Sequence, residues 1–444
     1  MHRRSRSVFT RSPLSPALTS LAPVTGRPHN WAGNVVYSAR SVHRPTSVGD
    51  LRALVAASAG IRALGTGHSF NRLPDCAGDL VSVADLPPTL TIDPAASTAT
   101  VAAGLRYGEV AERLSSAGYA LANLGSLPHI SVAGACATAT HGSGVGNGNV
   151  ATSVAAVTMV GAGGDLMTLR RDSDPDFDGA VVALGALGVV VSLTLDIEPA
   201  FAVRQYVYDD LPWDRLDRLD EILASAYSLS LFTDWQGRDI NMVWLKYRAD
   251  EPGADSPPAR WLGATLADTP RHPIAGQPVA NCTQQLGVVG PWHERLPHFR
   301  LGFTPSSGSE LQTEYLVARA HGQAALEAVA RLRTQIARLV QVCEIRTVAA
   351  DRLWLSPSYG RDSLAVHFTW VDDAASVAPA VAELEAQLAP LAPRPHWGKV
   401  FSLPPPLVRA GYERAADFVE LRRRYDPAGV FGNDFVDSYF PTGR

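Results

Sequence analysis

The sequence predicts an α+β fold in which an antiparallel sheet is backed by helices. The clearest helix spans residues 323–340, where apolar residues recur along one face with helical spacing. Strand candidates follow at 342–348, 364–370 and 395–401, with a second amphipathic helix at 379–388 between the last two. Strands and helices in this arrangement indicate a sheet that is covered by helices.

The first part of the chain alternates short strands and helices. Ser47, with Asp50 three residues later, marks a helix start, and the leucines that follow have helical spacing. A strand pair is predicted at 80–83 and 99–102, followed by a helix at 107–117. This region therefore predicts a compact α+β unit ahead of the larger sheet.

Two further elements complete that unit. Residues 154–160 and 165–169 predict a hairpin around a run of glycines. Residues 184–195 form a glycine turn, which includes Gly188, that feeds a β-branched strand beginning at Val189. Such a strand could pack its backbone against an adenine, and alone it is also consistent with a core strand.

The pattern changes after Phe201. Residues 209–226 predict an amphipathic helix, and 229–235 and 241–246 predict strands. Residues 250–309 are rich in proline and glycine and have little periodicity. A segment this long without a pattern usually wraps a domain or covers a site.

Composition places the chain among ordinary globular proteins and excludes several partners. The chain has 444 residues, 46% hydrophobic and 18% charged, which favours two or three domains. The net charge of −4 and the pI of about 6.3 give no basic footprint for nucleic acid and no polybasic membrane anchor. No apolar run is long enough to span a bilayer.

The cysteines and the first residues bear on location. Cys76, Cys136, Cys282 and Cys343 lie far apart without a C-x-x-C, so neither a metal site nor a disulfide framework is predicted. Buried thiols in a reducing cytoplasm are the expectation. Residues 1–29 are rich in arginine, serine and proline and lack an apolar signal core, which favours a disordered tail over a secretory signal or a transit peptide.

A glycine-rich turn lies at R-A-L-G-T-G-H-S-F-N, residues 62–71. Gly65 and Gly67 flank Thr66, which lets the backbone turn sharply and lie flat against a ligand. His68 follows at the tip of the turn, where its imidazole could reach a bound cofactor, and Ser69 comes next. Taken alone, G-x-G-H is more typical of a tight turn with a surface histidine.

A second stretch, residues 124–148, favours the interpretation that this turn binds a cofactor. It consists mainly of Gly, Ala, Ser and Thr and is almost free of charge, so its N–H groups could cradle a pyrophosphate without a lysine. Its glycines alternate and no acidic residue follows at the ribose spacing, which disfavours a Rossmann fold, and it has no G-K-[ST] of a P-loop. A glycine-rich surface loop is the alternative, although a mostly apolar loop of this length is unusual without a ligand.

Three strand candidates each place polar groups on one face. Glu344 and Arg346 are two residues apart and share a face, as do His367 with Thr369, and Trp397 with Lys399. One such strand would be an exposed face with solvated charges, but three in succession predict the polar floor of a cavity. A wall of mixed donors and acceptors suits a substrate with many hydroxyl groups.

Seven stretches in order resemble the alditol oxidase branch of the FAD-linked oxidase family of the vanillyl-alcohol oxidase type. They are N-W-A-G-N at 30–34, G-T-G-H-S-F-N at 65–71, S-L-P-H-I-S-V-A-G at 126–134, T-A-T-H-G-S-G-V-G-N-G at 138–148, C-E-I-R-T-V-A-A-D at 343–351, H-F-T-W at 367–370 and R-P-H-W-G-K-V at 394–400. The resemblance implies a two-part FAD-binding domain of that type with an inserted α+β cap domain that carries the antiparallel sheet. Residues 30–200 and the C-terminal segment 401–444 would hold the cofactor, and 201–400 would form the cap.

The resemblance also implies roles for single residues. His68 would carry a covalent link to FAD. The cofactor would be held by Gly65, Thr66, Gly67, His68, Ser69, Ser126, Ser131, Gly134, Thr138, Ala139, Thr140, His141, Gly188, Val189 and Asn433. The substrate would be bound by Ser126, Glu344, Arg346, Thr369 and Lys399, and the catalytic groups would be Arg346, Lys399 and His367. Whether His367 or a neutral lysine accepts the proton stays open.

The implied reaction oxidises the terminal primary hydroxyl of an alditol such as xylitol or sorbitol to the aldose while O₂ is reduced to H₂O₂. A monomeric cytoplasmic enzyme without nucleic-acid or membrane partners is expected. The nearest alternative is an aldonolactone oxidase or dehydrogenase acting on gulono- or arabinono-1,4-lactone. A flavin-binding or storage protein is the alternative of another class, and the full polar set at Glu344, Arg346, Thr369 and Lys399 argues against it.

Overall fold

The computed structural model describes residues 28–303 and 309–443, so nearly all of the predicted disordered tail lies outside the described residues. The strands are β1 (Val42–His43), β2 (Ile61–Ala63), β3 (Asp79–Val81), β4 (Leu90–Asp93), β5 (Thr98–Ala102), β6 (Tyr119–Ala120), β7 (Val154–Val160), β8 (Leu166–Arg170), β9 (Val189–Asp196), β10 (Glu198–Pro199), β11 (Ala202–Leu211), β12 (Ser228–Thr233), β13 (Ile240–Arg248), β14 (Arg260–Trp261), β15 (Ala264–Leu266), β16 (Gly290–Pro291), β17 (Glu310–Ala318), β18 (Val340–Val348), β19 (Ser363–Val371) and β20 (Arg394–Pro395). The helices are α1 (Val48–Ala57), α2 (Tyr107–Ser116), α3 (Val132–Ala137), α4 (Phe177–Ala180), α5 (Leu219–Leu223), α6 (Gly322–Arg331), α7 (Arg333–Ile336), α8 (Ala374–Leu388), α9 (Pro405–Ala410), α10 (Ala415–Tyr425) and α11 (Asp434–Tyr439).

The first part of the chain contains a parallel sheet of three strands in the order β1-β3-β2 and an antiparallel sheet of five in the order β4-β5-β9-β7-β8. The predicted start of α1 is confirmed, because the Ser47 hydroxyl accepts a hydrogen bond from the Asp50 N–H at 3.0 Å. Leu51 and Val55 of α1 pack in one apolar cluster with Phe431 from the C-terminal segment. The end of the chain therefore returns to the first sheet.

The predicted hairpin of β7 and β8 is confirmed, whereas the predicted pairing of residues 80–83 with 99–102 is wrong. β3 lies between two parallel partners, and β5 pairs antiparallel with β4 and β9. The turn between β4 and β5 is short, so β5 finds its partner in the neighbouring segment, which sequence periodicity does not show.

The second part forms an antiparallel sheet of ten strands, as predicted. Its order is β14-β15-β11-β13-β12-β18-β19-β17-β20, and β16 pairs with the outer part of β11. Phe368 and Trp370 of β19 point into the core that Leu326 of α6 and Leu384 of α8 also enter. The opposite face of the same strands lines a cavity that includes His367 and Thr369.

Three predicted elements differ from the structure. Residues 209–226 begin as strand, because β11 pairs with β13 along its length, and only α5 is α-helical. The helix predicted at 323–340 breaks at Leu332 into α6 and α7. The strand predicted at 395–401 ends after Pro395, since the Lys399 N–H turns back to the carbonyl oxygen of His396 at 3.0 Å.

One buried cation fixes the C-terminal segment against the first part of the chain. The Arg62 guanidinium donates to the carbonyl oxygens of Leu73, Leu184 and Phe431, each at 2.7 Å. Asn433 adds a second tie, because its Nδ2 donates to the carbonyl oxygen of Asp75 at 2.6 Å. These contacts join β2 and the segment after it to the loop before β9 and to the tail.

The four cysteines are buried and form no disulfide, as predicted. Within residues 28–303 and 309–443, no helix has both the length and the apolar character that crossing a bilayer requires.

Candidate active site

A cavity of about 320 Å³ lies between the glycine-rich turns of the first part of the chain and one face of the ten-stranded sheet. Most of the predicted site residues line it: Gly65, Thr66, Gly67, His68, Ser69, Ser126, Ser131, Gly134, Thr138, Thr140, His141, Gly188, Glu344, Arg346, His367, Thr369 and Lys399. The irregular segment 250–309 supplies Pro273, Ile274, His298 and Phe299, so it covers the site as expected. Two distant parts of the sequence therefore face one space.

Three predicted cofactor residues do not line this cavity. Val189 begins β9 and joins the apolar cluster around α1, while its neighbours Gly188 and Val190 face the cavity. Ala139 is buried in the core with a left-handed φ of 54°. Asn433 caps α11 instead, since its Oδ1 accepts from the Val436 N–H at 2.8 Å.

The turn after β2 presents its backbone to the cavity. Gly67 has a φ of +73°, a conformation that favours glycine, and its carbonyl oxygen accepts from the Trp31 N–H at 2.8 Å. Within the described part of the chain, the backbone N–H groups of residues 65–69 donate to no acceptor. Unpaired N–H groups in a row are what the oxygen and nitrogen acceptors of a flavin nucleotide need.

Close backbone contacts in the cavity wall exclude side chains. A Cβ atom on Gly104 would lie 2.4 Å from the carbonyl oxygen of Val83, and one on Gly188 would lie 2.8 Å from that of Val160. Gly104, Val83 and Gly188 all line the cavity. Backbone and small uncharged groups therefore make up part of this wall, and a donor set of this kind fits a nucleotide without a lysine.

His68 is held in a defined orientation beside this turn. Its ring stacks on Trp31 at a centroid distance of 5.1 Å and an interplanar angle of 18°. Its Nδ1 lies 3.0 Å from the Thr66 hydroxyl. Burial, with the nearby His129 and Lys399 adding to it, lowers the pKa of His68 to about 4, so the imidazole is neutral at neutral pH. A neutral ring nitrogen is the nucleophilic form of histidine.

The opposite end of the cavity is a row of polar side chains in register. Glu344 of β18 lies opposite His367 of β19, which lies opposite Glu314 of β17. In the next row Thr369 of β19 lies opposite Gln312 of β17. All five side chains line the cavity, so the predicted polar floor is built from three neighbouring strands.

Arg346 connects these groups. Its guanidinium donates to Glu314 Oε1 at 2.6 Å and to the Ser126 hydroxyl at 3.2 Å, and its Nε lies 3.5 Å from Glu344 Oε1. Burial alone would raise the carboxyl pKa values, but His141 and Arg346 hold the pKa of Glu314 well below its usual range. Arg346 and His298 lower the pKa of Glu344 in the same way. Both carboxylates are ionised at neutral pH.

Gln312 holds the two candidate proton acceptors. Its Oε1 accepts a hydrogen bond from Lys399 Nζ and lies 3.2 Å from His367 Nε2. His367 Nδ1 is buried and has no hydrogen-bond partner among the described residues. Burial lowers the pKa of His367 to about 3 and also lowers the pKa of Lys399 below its usual value. Both groups are therefore more often neutral at a given pH than exposed side chains would be, although each is also a weaker base.

Sequence reasoning missed three residues of this end. Glu314 and Gln312 belong to E-L-Q-T-E-Y, where polar residues alternate from Glu310 onward, and that period of two was a usable signal of a strand with a polar face. His298 lies 2.7 Å from Glu344 Oε1 through its Nε2. It comes from the irregular segment, where nothing in the sequence indicates its position.

The pairing of Glu314 with Arg346 leads to a stability prediction. Replacing Glu314 with Gln should lower the free energy of unfolding by on the order of 3 kcal/mol near neutral pH, because it removes the nearer of the two carboxylates that pair with a buried guanidinium. Since the folded pKa of Glu314 is depressed, its contribution is complete above the ordinary carboxyl pKa of about 4.3 and decreases as the pH falls below it. The difference between variant and wild type should therefore be smaller at a pH of about 3.5 than at about 6.

Urea unfolding at the two pH values measures this difference. Glu413→Gln is the matched control, because Glu413 is exposed. A Glu314→Gln difference that equals the control, or that does not change with pH, would contradict the assignment.

Two family profiles match the chain. The profile described as FAD binding domain matches residues 39–170, and the one described as D-arabinono-1,4-lactone oxidase matches residues 305–439. The first contains the turn at Gly65 to Ser69, and the second contains the polar strands β17, β18 and β19.

Curated proteins of similar length also match. The chain is 51% identical to an alditol oxidase from Streptomyces sp., an alignment that covers 92% of this chain and 97% of that protein. It is 29% identical to an L-gulono-1,4-lactone dehydrogenase from Mycobacterium tuberculosis, with 92% and 97% covered, and 24% identical to an L-gulonolactone oxidase from Mus musculus, with 93% and 97% covered.

A solved structure supports the fold. The cholesterol oxidase from B. sterolicum superposes with a TM-score of 0.74 over 93% of this chain and 96% of that one, at 17% sequence identity. Together with the matched FAD-binding region and the 51% identity to an alditol oxidase, this likeness shows that the chain belongs to the FAD-linked oxidase family of the vanillyl-alcohol oxidase type.

Proposed function

We propose that this enzyme oxidises the terminal primary hydroxyl of an alditol, such as xylitol or sorbitol, to the aldose, with O₂ reduced to H₂O₂. The observation that supports it best is the polar end of the cavity, where Glu344, Arg346, Thr369 and Lys399 face one space beside the glycine-rich end. The 51% identity to an alditol oxidase points to the same reaction.

The chemistry of the polar end suits an open-chain polyol. Glu344 is an ionised acceptor, Arg346 donates only, and the Thr369 hydroxyl both donates and accepts. Each hydroxyl of a polyol likewise donates and accepts, so a mixed wall can satisfy several of them at once. A purely apolar substrate would leave the remaining donors and acceptors of these buried groups unsatisfied, which costs free energy.

FAD would be held by the glycine-rich end of the cavity, which includes residues 65–69, Ser131, Gly134, Thr138, Thr140 and Gly188. When bound, FAD accepts the hydride from the alcohol carbon and passes two electrons to O₂. The protein positions the substrate and the cofactor and supplies the electrostatic field around them. The unpaired N–H groups at 65–69 and the close backbone contacts at Gly104 and Gly188 support this placement.

At the polar end we assign three roles. Arg346 donates to the reacting hydroxyl oxygen and stabilises the negative charge that develops on it. Lys399 accepts the hydroxyl proton at Nζ, because burial lowers its pKa and so favours the neutral amine more than on an exposed lysine. His367 orients the substrate beside the reacting carbon.

The same reasoning divides the chain into parts. We propose that residues 30–200 and 401–444 bind FAD and that 201–400 form the cap that binds substrate. The tie from Arg62 to Phe431 and the ten-stranded sheet between residues 202 and 395 support this division. The monomeric state and the cytoplasmic location stay predictions.

An aldonolactone oxidase or dehydrogenase is the second candidate. It is favoured by the D-arabinono-1,4-lactone oxidase profile over residues 305–439, which includes the polar strands. The two relatives above that are named for lactone chemistry match over more than 90% of the chain and are 29% and 24% identical, against 51% for the alditol oxidase. The alditol reaction is therefore preferred.

The test is H₂O₂ release by the purified flavoprotein with xylitol, sorbitol and gulono-1,4-lactone in parallel. We expect release with the polyols and little with the lactone. Release with the lactone alone would make the second candidate correct. If protein that carries flavin releases no H₂O₂ with any of the three substrates, an oxidase of either kind is contradicted.

We also propose that His68 carries a covalent bond to FAD. The neutral imidazole, its fixed orientation on Trp31 and its place at the tip of the unpaired turn support this role. In His68→Ala, flavin should separate from the denatured protein, whereas flavin should stay with the denatured wild type.

Gel electrophoresis under denaturing conditions with flavin fluorescence measures this bond. His129→Ala is the matched control, because His129 is the histidine beside His68 yet does not line the cavity. Flavin that stays with denatured His68→Ala, or that leaves His129→Ala, would contradict the assignment.

A further inference from the structure

His298, which lines the cavity beside Glu344, is enclosed by aromatic side chains. Its ring packs against the edges of Phe232 and Trp244 at centroid distances of 5.5 and 5.2 Å, and Phe299 lies next to it at 6.4 Å. Burial, together with the nearby Lys246, lowers the pKa of His298 to about 4. The imidazole is thus neutral at neutral pH, with one nitrogen that donates and one that accepts.

The neighbours of His298 decide which nitrogen carries the proton. Lys246 Nζ lies 3.1 Å from Nδ1, and Glu344 Oε1 lies 2.7 Å from Nε2. An ammonium group can only donate, so Nδ1 accepts from Lys246. Nε2 then carries the proton and donates to the ionised Glu344. The reverse tautomer would direct a lone pair at the carboxylate.

Lys246 is built into this arrangement as an ammonium group. It lies on β13, is 1% exposed, and its Nζ also donates to the carbonyl oxygens of Leu296 and of Pro297, the latter at 3.2 Å. Three acceptors match the three N–H groups of an ammonium, whereas a neutral amine has only two. Within the described residues, Lys246 forms no direct ion pair, and the role of this buried charge is not explained by the reaction chemistry above.

The same histidine also anchors a second substrate-binding residue. The backbone N–H groups of His298 and Phe299 donate to the carbonyl oxygen of Ser126 at 3.1 and 3.3 Å. The Ser126 hydroxyl in turn accepts from Arg346. His298 thus contacts Glu344 through its ring and Ser126 through its backbone.

We propose that Lys246 is a positioning residue for polyol binding: by donating to His298 Nδ1 it fixes the tautomer in which Nε2–H holds Glu344 in place as a hydroxyl acceptor. This inference rests on the proposed function, because it concerns how the substrate is held. In this proposal the surrounding aromatic side chains, the Lys246 ammonium and His298 together set the affinity for the polyol. It leaves the hydride-transfer chemistry to the groups named above.

This arrangement also makes substrate affinity depend on pH. The titratable or charged groups that face Lys246 are His298, Cys282, and Glu344 and Arg346 of β18. Burial lowers the pKa of Lys246 to about 7, while the pKa of Cys282 is raised to about 12 by burial and that of His298 is about 4. As the pH rises through neutrality, Lys246 loses its proton and one donor, so the KM for the polyol should increase.

The first test is Lys246→Met in the flavin-loaded enzyme with xylitol. We expect KM to rise about tenfold, the range of one hydrogen bond to a charged group, while kcat changes less than about twofold. The rise of KM through neutral pH that we expect for the wild type should be absent from the variant. A KM and a pH profile equal to those of the wild type would overturn the proposal.

Gln205→Met is the matched control. Gln205 lies opposite Lys246 in the pairing of β11 with β13, is fully buried, and donates to Thr283 of the segment that also carries His298. It does not contact His298 or Glu344. If Gln205→Met raised KM as much as Lys246→Met, the effect would come from loosening the segment that carries His298, and the proposal would be wrong.

Combining Lys246→Met with His298→Leu gives a second test, because His298→Leu removes the imidazole that links Lys246 to Glu344. In that background Lys246→Met should raise KM no further, so the two changes should not be additive. Additive effects would contradict the proposal. A wild type that does not oxidise xylitol would contradict the proposed function. If the wild type is active and Lys246→Met has the same KM and pH profile, only the inference about Lys246 is contradicted.

Discussion

Arg346 places a positive charge that is only 6% exposed in the floor of the cavity, and the surrounding site depends on keeping that charge paired. An unpaired charge at such a depth costs several kcal/mol, so it requires the carboxylates of Glu314 and Glu344 on either side of β19. Because each carboxylate is then ionised, both remain acceptors with spare lone pairs at neutral pH. Pairing the charge thereby also builds the hydroxyl-binding surface.

The two ends of the cavity differ in the groups that line them. At the glycine-rich end several backbone segments are free of bulky side chains, so that a flat nucleotide can approach the backbone at Gly65 to Ser69 and at Gly104. The polar end concentrates charge that burial would make costly if it were not fully paired. The turn at residues 396–399 joins the two, since the carbonyl oxygen of Gly398 accepts from the Phe70 N–H at 2.8 Å while Lys399 faces the polar row. In the proposed reaction this contact would bring cofactor and substrate together.

Much of this arrangement follows from local sequence. The alternation of strands requires Glu344 with Arg346, and His367 with Thr369, to share faces, and the structure places all four on the cavity. The register that aligns Glu314 with His367 could not be predicted, because it depends on pairing between segments about fifty residues apart. Lys399 reaches the cavity from a turn rather than from the predicted strand, while Trp397 packs in the core against Tyr412. The position of His298 could not be predicted, because it depends on where a segment without periodicity lies in the fold. Asn433 caps a helix, and only its place in a sequence motif suggested a cofactor ligand.

The most direct measurement is a crystal structure of the flavin-loaded enzyme with a bound alditol. The account predicts that the polyol lies at the polar end of the cavity, with hydroxyl groups within hydrogen-bond distance of Glu344, Arg346, Thr369 and Lys399 and its terminal carbon facing the flavin. A polyol bound elsewhere, or a cavity in which Arg346 and the two carboxylates pair only with each other and leave the ligand uncontacted, would contradict the account.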